Sequence, residues 1–146
     1  MENDDLPMHL AQFIPKSLDA IVRKNRHLCR LRLATAEDFS RVEKRIPRKQ
    51  PRHTLVRWQV IVLDVTTQPP VRSLRLVGTT LESGESWITS NVIGIDLRTR
   101  MVQTENSLYA IKGRRVLEKN LNFPYICAVL NHWGIGHFLG APEFFF

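Results

Sequence analysis

Cysteine is scarce in this chain, and its placement excludes more than it suggests. Cys29 and Cys127 stand 98 residues apart and form no C-x-x-C pair. That spacing suits neither a structural zinc site nor a disulfide framework, so both are read as reduced thiols of a cytoplasmic protein. The basic start of an export signal is missing too, because "MENDDLPMHL" opens with acids. Charge is absent altogether from Asn120 to Pro142, a length that can span a bilayer. The same stretch holds Asn120, Asn122, Asn131, His132, His137, Pro124 and three glycines, which lipid disfavours; a buried C-terminal helix is expected, and no membrane partner. Nor is there a glycine-rich phosphate loop, a G-x-S-x-G elbow or an H-E-x-x-H pair. No enzyme class is signalled by these patterns, and no cofactor or small-molecule substrate is expected.

The chain does carry a lopsided charge. Its net charge is +7 over 146 residues, a length that forms a core without staples. Residues 20 to 57 hold twelve cations against three acids (Glu37, Asp38 and Glu43), a net of +9. The cations are Arg23, Lys24, Arg26, Arg30, Arg32, Arg41, Lys44, Arg45, Arg48, Lys49, Arg52 and Arg57. The first 19 residues contribute −3 and the last 89 contribute +1. A surface so one-sided attracts phosphate backbones by releasing their counterions. An acidic protein surface is the competing partner, and solubility alone the plain alternative.

Local pattern divides the chain, read as one domain over 1–146, into three parts. Residues 1–50 read as a loose acidic start followed by two basic helices. Ser17 caps the first, whose apolar positions are Leu18, Ile21, Val22, Leu28 and Cys29. "TAED" from Thr35 to Asp38 has capping-box form and opens the second, which buries Phe39, Val42 and Ile46 and stops before Pro47. Residues 53–113 read as a β-meander of five strands, beginning with "HTLVRWQVIVLDV", too continuously apolar to face water on both sides. In "NVIGIDL" the alternation puts Ile93, Ile95 and Leu97 on the core face, opposite Val92, Gly94 and Asp96. "RTR" (Arg98–Arg100) and "NS" (Asn106, Ser107) read as tight joints before Gly113 ends the last strand. Residues 122–139 read as an apolar helix with Asn122 as cap, Pro124 in the first turn and Gly134 as stop. The expected fold is α+β: basic N-terminal helices, a five-stranded antiparallel meander curled as a small SH3-like or OB-like barrel, and a C-terminal helix.

Within the meander, T-S-x-V-x-x-I-D and V-x-T-x-N-S-x-Y-x-I-x-G occur as Thr89, Ser90, Val92, Ile95, Asp96, Val102, Thr104, Asn106, Ser107, Tyr109, Ile111 and Gly113. This block resembles a motif of small, mostly uncharacterised bacterial proteins, many encoded by phages and plasmids. The resemblance covers about a sixth of the chain. It implies a bacterial mobile-element setting, one version being an inhibitor of a nucleic-acid-guided host defence, of anti-CRISPR kind. It implies no catalytic residue.

The functional expectation is a non-enzymatic binding protein that engages nucleic acid or a nucleoprotein complex through the twelve cations. Trp58 and Trp87 read as core or as base-stacking platforms, and Arg72 and Arg75 as an extension of the basic surface or as outward strand residues. A second class is a protein-interaction module or a homodimer formed through the terminal Phe144, Phe145 and Phe146. A third is a metal-independent nuclease using His53, Glu105 and Tyr109, although nothing in their spacing unites them. Cys127, His132 and His137 do not match zinc spacing, so no metal site is expected.

Overall fold

The run of β-branched residues in His53–Val65 becomes a single 13-residue strand, β2, and its alternation divides between two cores. In the computed structural model, which describes residues 15–23, 27–66 and 69–132, Leu55, Trp58, Val60 and Val62 join one apolar cluster. Ile61 and Leu63, of opposite parity, join another. A strand covered on both faces can be continuously apolar, which accounts for the sequence pattern.

Around β2 lies a six-stranded sheet, not the five strands expected, with a few short helices. Its strands are β1 (Cys29–Leu33), β2, β3 (Val71–Thr80), β4 (Ser86–Asp96), β5 (Met101–Thr104) and β6 (Leu108–Ile111). Successive strands pair antiparallel. β6 then returns to pair parallel with β2 over His53–Leu55, so the ladder β2-β3-β4-β5-β6-β2 closes on itself. β1 takes the same edge of β2 farther along, opposite Ile61–Val65.

The added strand corrects the helical reading of Leu28 and Cys29. The first helix, α1, spans only Leu18–Ile21, with Ser17 accepting from the Ala20 amide at 3.1 Å as its cap. "CRLRL" alternates, and β2 supplies what that alternation needs. Cys29 and Leu31 pack into the outer core, while Arg32 reaches Asp64, on the neighbouring strand, at 3.3 Å.

Two bulges reset the inside–outside parity. In β2 the pairing with β3 slips between Val56 and Gln59, where Arg57 adopts φ 51°. Leu55 and Trp58 therefore both point inward although three residues apart. In β4 the pairing with β5 slips between Val92 and Gly94. This overturns the expected core face in part: Ile95 is buried as expected, but Val92 is buried with it, whereas Ile93 is 46% exposed and Leu97 50%.

The helix α2 (Ala36–Val42) opens with the anticipated capping box of Thr35 and Asp38. It ends at Val42 and not before Pro47, because the next residues have work at a sheet edge. Glu43 bridges to Ile95, the Lys44 amide donates to the Ile95 carbonyl at 3.1 Å, and the Ile46 amide donates to Asp96 at 2.9 Å. This strap covers β4 beyond Asn91, the last β4 residue paired with β3, and so blunts an exposed edge. Helix α3 (Phe123–His132) has Asn122 accepting from the Tyr125 amide at 3.1 Å. It lays Phe123, Ile126, Cys127 and Leu130 on the outer core, beside α1 and β1. No helix among the described residues is long and apolar enough to cross a membrane. The rest of the expected 122–139 helix, together with Trp133, His137 and Phe144–Phe146, lies outside the described residues.

Candidate functional site

The motif in Thr89–Gly113 serves the fold. Val92, Ile95, Val102, Tyr109 and Ile111 fill the inner core. Thr89 accepts from the Leu76 amide at 3.1 Å, next to the slip between β3 and β4. The Asp96 carboxylate accepts from the amides of Ile46, Arg98 and Thr99, which holds its pKa below the ordinary value, the Ile46 amide contributing most. Thr104, fully buried, accepts from the amides of Asn106 and Ser107 and donates to the Ser107 carbonyl. The joint is thus Glu105–Asn106 held by Thr104, one residue earlier than the reading of Asn106 and Ser107. Gly113, at φ 81°, offers its carbonyl to the Trp58 indole at 2.9 Å and to the Arg100 guanidinium.

Of the ten described cations of residues 20–57, Arg32 and Arg41 are paired within the fold. Arg32 is neutralised within the fold, at 2.6 Å from Asp38 and 3.3 Å from Asp64. Arg41 pairs with Glu37 along α2 at 3.5 Å. Arg23 and Arg30 are exposed at α1 and β1, while Lys24 and Arg26 fall outside the described residues. Arg52 lies 5.2 Å over the Trp87 ring, and the exposed Arg57 borders a separate cleft with Trp87 and Tyr125. Lys44, Arg45, Arg48 and Lys49 remain, all exposed on or just beyond the strap. Of the two strand arginines, Arg72 pairs with Asp64 at 2.7 Å, and Arg75 is half-buried against Ser73, its pKa lowered by desolvation.

Charge concentrates instead where the strap meets the turn between β4 and β5. Arg45 and Arg98 line a depression on one side of that turn, with Pro47 and Thr99. On the other side Arg100, Arg114 and Arg115 line a larger one of about 680 Å³. The exposed Lys112 adjoins Gly113, and the methylenes of Lys44 run across Gly94, where a Cβ would lie 2.3 Å from Cε. Seven cations therefore surround one turn. Three carboxylates lie nearby: Asp96 accepts from three amides and stands 3.9 Å from Arg98, Glu118 accepts from the Leu18 amide at 2.8 Å, and Glu43 is exposed on the strap, so the cations outnumber the acids without being free of them. Five of the seven were missed by counting charge along the chain. A signal existed, because "RTR" enters β5 and "KGRR" leaves β6, and the start of one hairpin strand lies beside the end of the other.

Beneath this surface lies a mostly apolar slot of about 270 Å³, bordered by Phe39, Trp58, Ile95, Leu97 and Arg115, with Ser40 and Glu43 also in its lining. Arg115 sits 4.8 Å over the Phe39 ring, and Arg100 lies 5.7 Å from the Trp58 ring. Trp58 is only 2% exposed, so it forms a floor and does not act as a free platform. Trp87 is half-buried, donating to the Tyr109 hydroxyl at 3.2 Å and meeting His53 edge-on at 4.4 Å.

Of the nuclease set, the fold brings His53 and Tyr109 together but not Glu105. His53 and Tyr109 are register partners on β2 and β6. The carboxylate beside His53 is that of Glu82, at 3.4 Å, whereas Glu105 sits in the β5–β6 turn and acts electrostatically on Arg75. Cys127 faces the outer core, where burial pushes its pKa up to about 11, while His132 is exposed. No protein-family model matches the chain, and no curated protein or solved structure matches it.

Proposed function

We propose that this protein is a non-enzymatic binding protein for nucleic acid, or for a nucleoprotein complex, and that it holds phosphates on the cations around the β4–β5 turn and the strap. The observation that carries this reading is the gathering of Lys44, Arg45, Arg98, Arg100, Lys112, Arg114 and Arg115 about one turn, in excess over the nearby Glu43, Asp96 and Glu118. A local excess of cations attracts a polyanion at long range and releases its counterions on contact. The closed strand circuit, which we read as a small SH3-like or OB-like barrel, holds the turn rigid. The phage and plasmid resemblance supports a bacterial cytoplasmic setting and an anti-defence role against a nucleic-acid-guided complex.

The test is fluorescence anisotropy of a labelled oligonucleotide titrated at several salt concentrations. Affinity is expected to fall steeply with salt. The combined variant Arg45→Gln, Arg98→Gln and Arg114→Gln should flatten the log–log slope by about 2–3 units, since each phosphate contact contributes about 0.7–0.9. Arg23→Gln with Arg30→Gln, remote from the turn, should leave it almost unchanged. Binding that ignores salt, or a triple variant that binds like the parent, overturns the proposal. Capture of a protein partner that persists after nuclease treatment and in the triple variant favours the interaction-module reading.

A further inference from the structure

We infer that the slot between Arg115 and Leu97 receives an unstacked nucleobase, so that the ligand is single-stranded; this rests on the nucleic-acid reading above. Three separate segments build the slot. The capping box starts α2 and sets Phe39 half-buried in its first turns. Arg115 arrives from the segment after β6 and lays its guanidinium 4.8 Å over that ring. Leu97, half exposed at the start of the β4–β5 turn, borders the same slot, with Trp58 and Ile95 lining it between them.

A guanidinium above an aromatic ring has a second face, and bases stack on guanidinium planes as readily as on aromatics. Leu97 offers apolar contact within the same slot. The slot shares Trp58, Leu97 and Arg115 with the larger depression that contains Arg100 and Arg114. A mostly apolar cavity for a ring, with the Glu43 carboxylate in its lining, thus adjoins a cationic groove for the phosphates joined to it. A simple polyanion has no use for the slot, and a duplex keeps its bases stacked and out of reach. The chemistry that satisfies both parts is a single strand, with a base in the slot and its flanking phosphates on the arginines.

The experiment compares anisotropy titrations of labelled oligothymidylate, an abasic oligomer of equal length and the corresponding duplex, with oligouridylate run in parallel. A base stacked in the slot should make at least one of the base-bearing single strands bind about 5- to 100-fold tighter than the abasic oligomer. Leu97→Ser removes an exposed apolar wall and should abolish that difference. Arg115→Met, which keeps an aliphatic contact to Phe39, should narrow it as well and serves as the second variant if the first fails to fold by circular dichroism. Equal, salt-sensitive binding of abasic and base-bearing strands in both series overturns the slot but leaves the cationic surface standing. Absence of binding to any of these polyanions removes the reading beneath it. A Leu97→Ser protein that keeps the full difference shows that the base sits elsewhere.

Discussion

Replacing Asp38 by asparagine tests how the fold presents its binding slot. Asp38 is 2% exposed. It accepts from Arg32 at 2.6 and 3.3 Å, from the Thr35 amide at 2.7 Å and from the Thr35 hydroxyl at 2.9 Å. Arg72 stands 3.8 Å away. Breaking a buried ion pair from one side costs about 3–5 kcal/mol. Arg32 is one-third exposed, so water recovers part of its charge, and asparagine still accepts from the Thr35 amide. The lower end, about 3 kcal/mol, is therefore expected, which for a chain of this size lowers Tm by roughly 10 °C. The pH dependence is a sharper check. The hydrogen bond from Arg32, then those from Thr35, hold the folded-state pKa of Asp38 well below the ordinary carboxylate value, against the opposing effect of burial. A depressed folded pKa contributes stability that is present above the unfolded value of about 3.9 and is lost as pH falls through the folded one. Urea melts of the two proteins should therefore differ fully at neutral pH and converge as acidity increases below about pH 4. Equal midpoints at neutral pH, or a gap that stays constant into acid, would refute the assignment of Asp38 as the keystone between α2, β1 and β3.

Further expectations follow from single positions. Arg57 holds φ 51° on an exposed bulge, so Arg57→Gly should be neutral or raise stability by up to about 1 kcal/mol, whereas Arg57→Val should lower it, both read by thermal melting. A Cβ on Gly94 meets only the flexible end of Lys44, but one on Gly78 meets the Val56 carbonyl at 3.0 Å and the Trp58 Cα at 3.2 Å. Gly94→Ala should cost under about 1 kcal/mol and Gly78→Ala about 1–3, and a reversed order in urea melts counts against these packings. Thr104→Val leaves the amides of Asn106 and Ser107 without their acceptor; a loss of about 1–3 kcal/mol is expected, with faster amide exchange at Ser107. Cys29 and Cys127 are buried and their pKa values raised by desolvation, so a thiol reagent at neutral pH should modify neither until urea unfolds the chain.

The features legible in the sequence are those whose partners lie a few residues apart. The Thr35–Asp38 box, the Ser17 and Asn122 caps and the β5–β6 hairpin each close over a few residues, so local chemistry determines them. Composition likewise announced β2 as a strand buried on both faces. Helical periodicity misassigned Cys29, because the strand it opens depends on β2, more than 20 residues later in the chain, and on the Asp64 that receives Arg32. Alternation misplaced Ile93, because a single bulge between Val92 and Gly94 inverts parity. The candidate site was hidden for the same reason. Phe39, Leu97 and Arg115 come from three segments, and only closure of the strand circuit through β2 and β6, packed under α2, brings them to one slot. Short-range hydrogen bonds and hydrophobic period were written in the chain, whereas contacts across long loops became definite only once tertiary packing had selected a register.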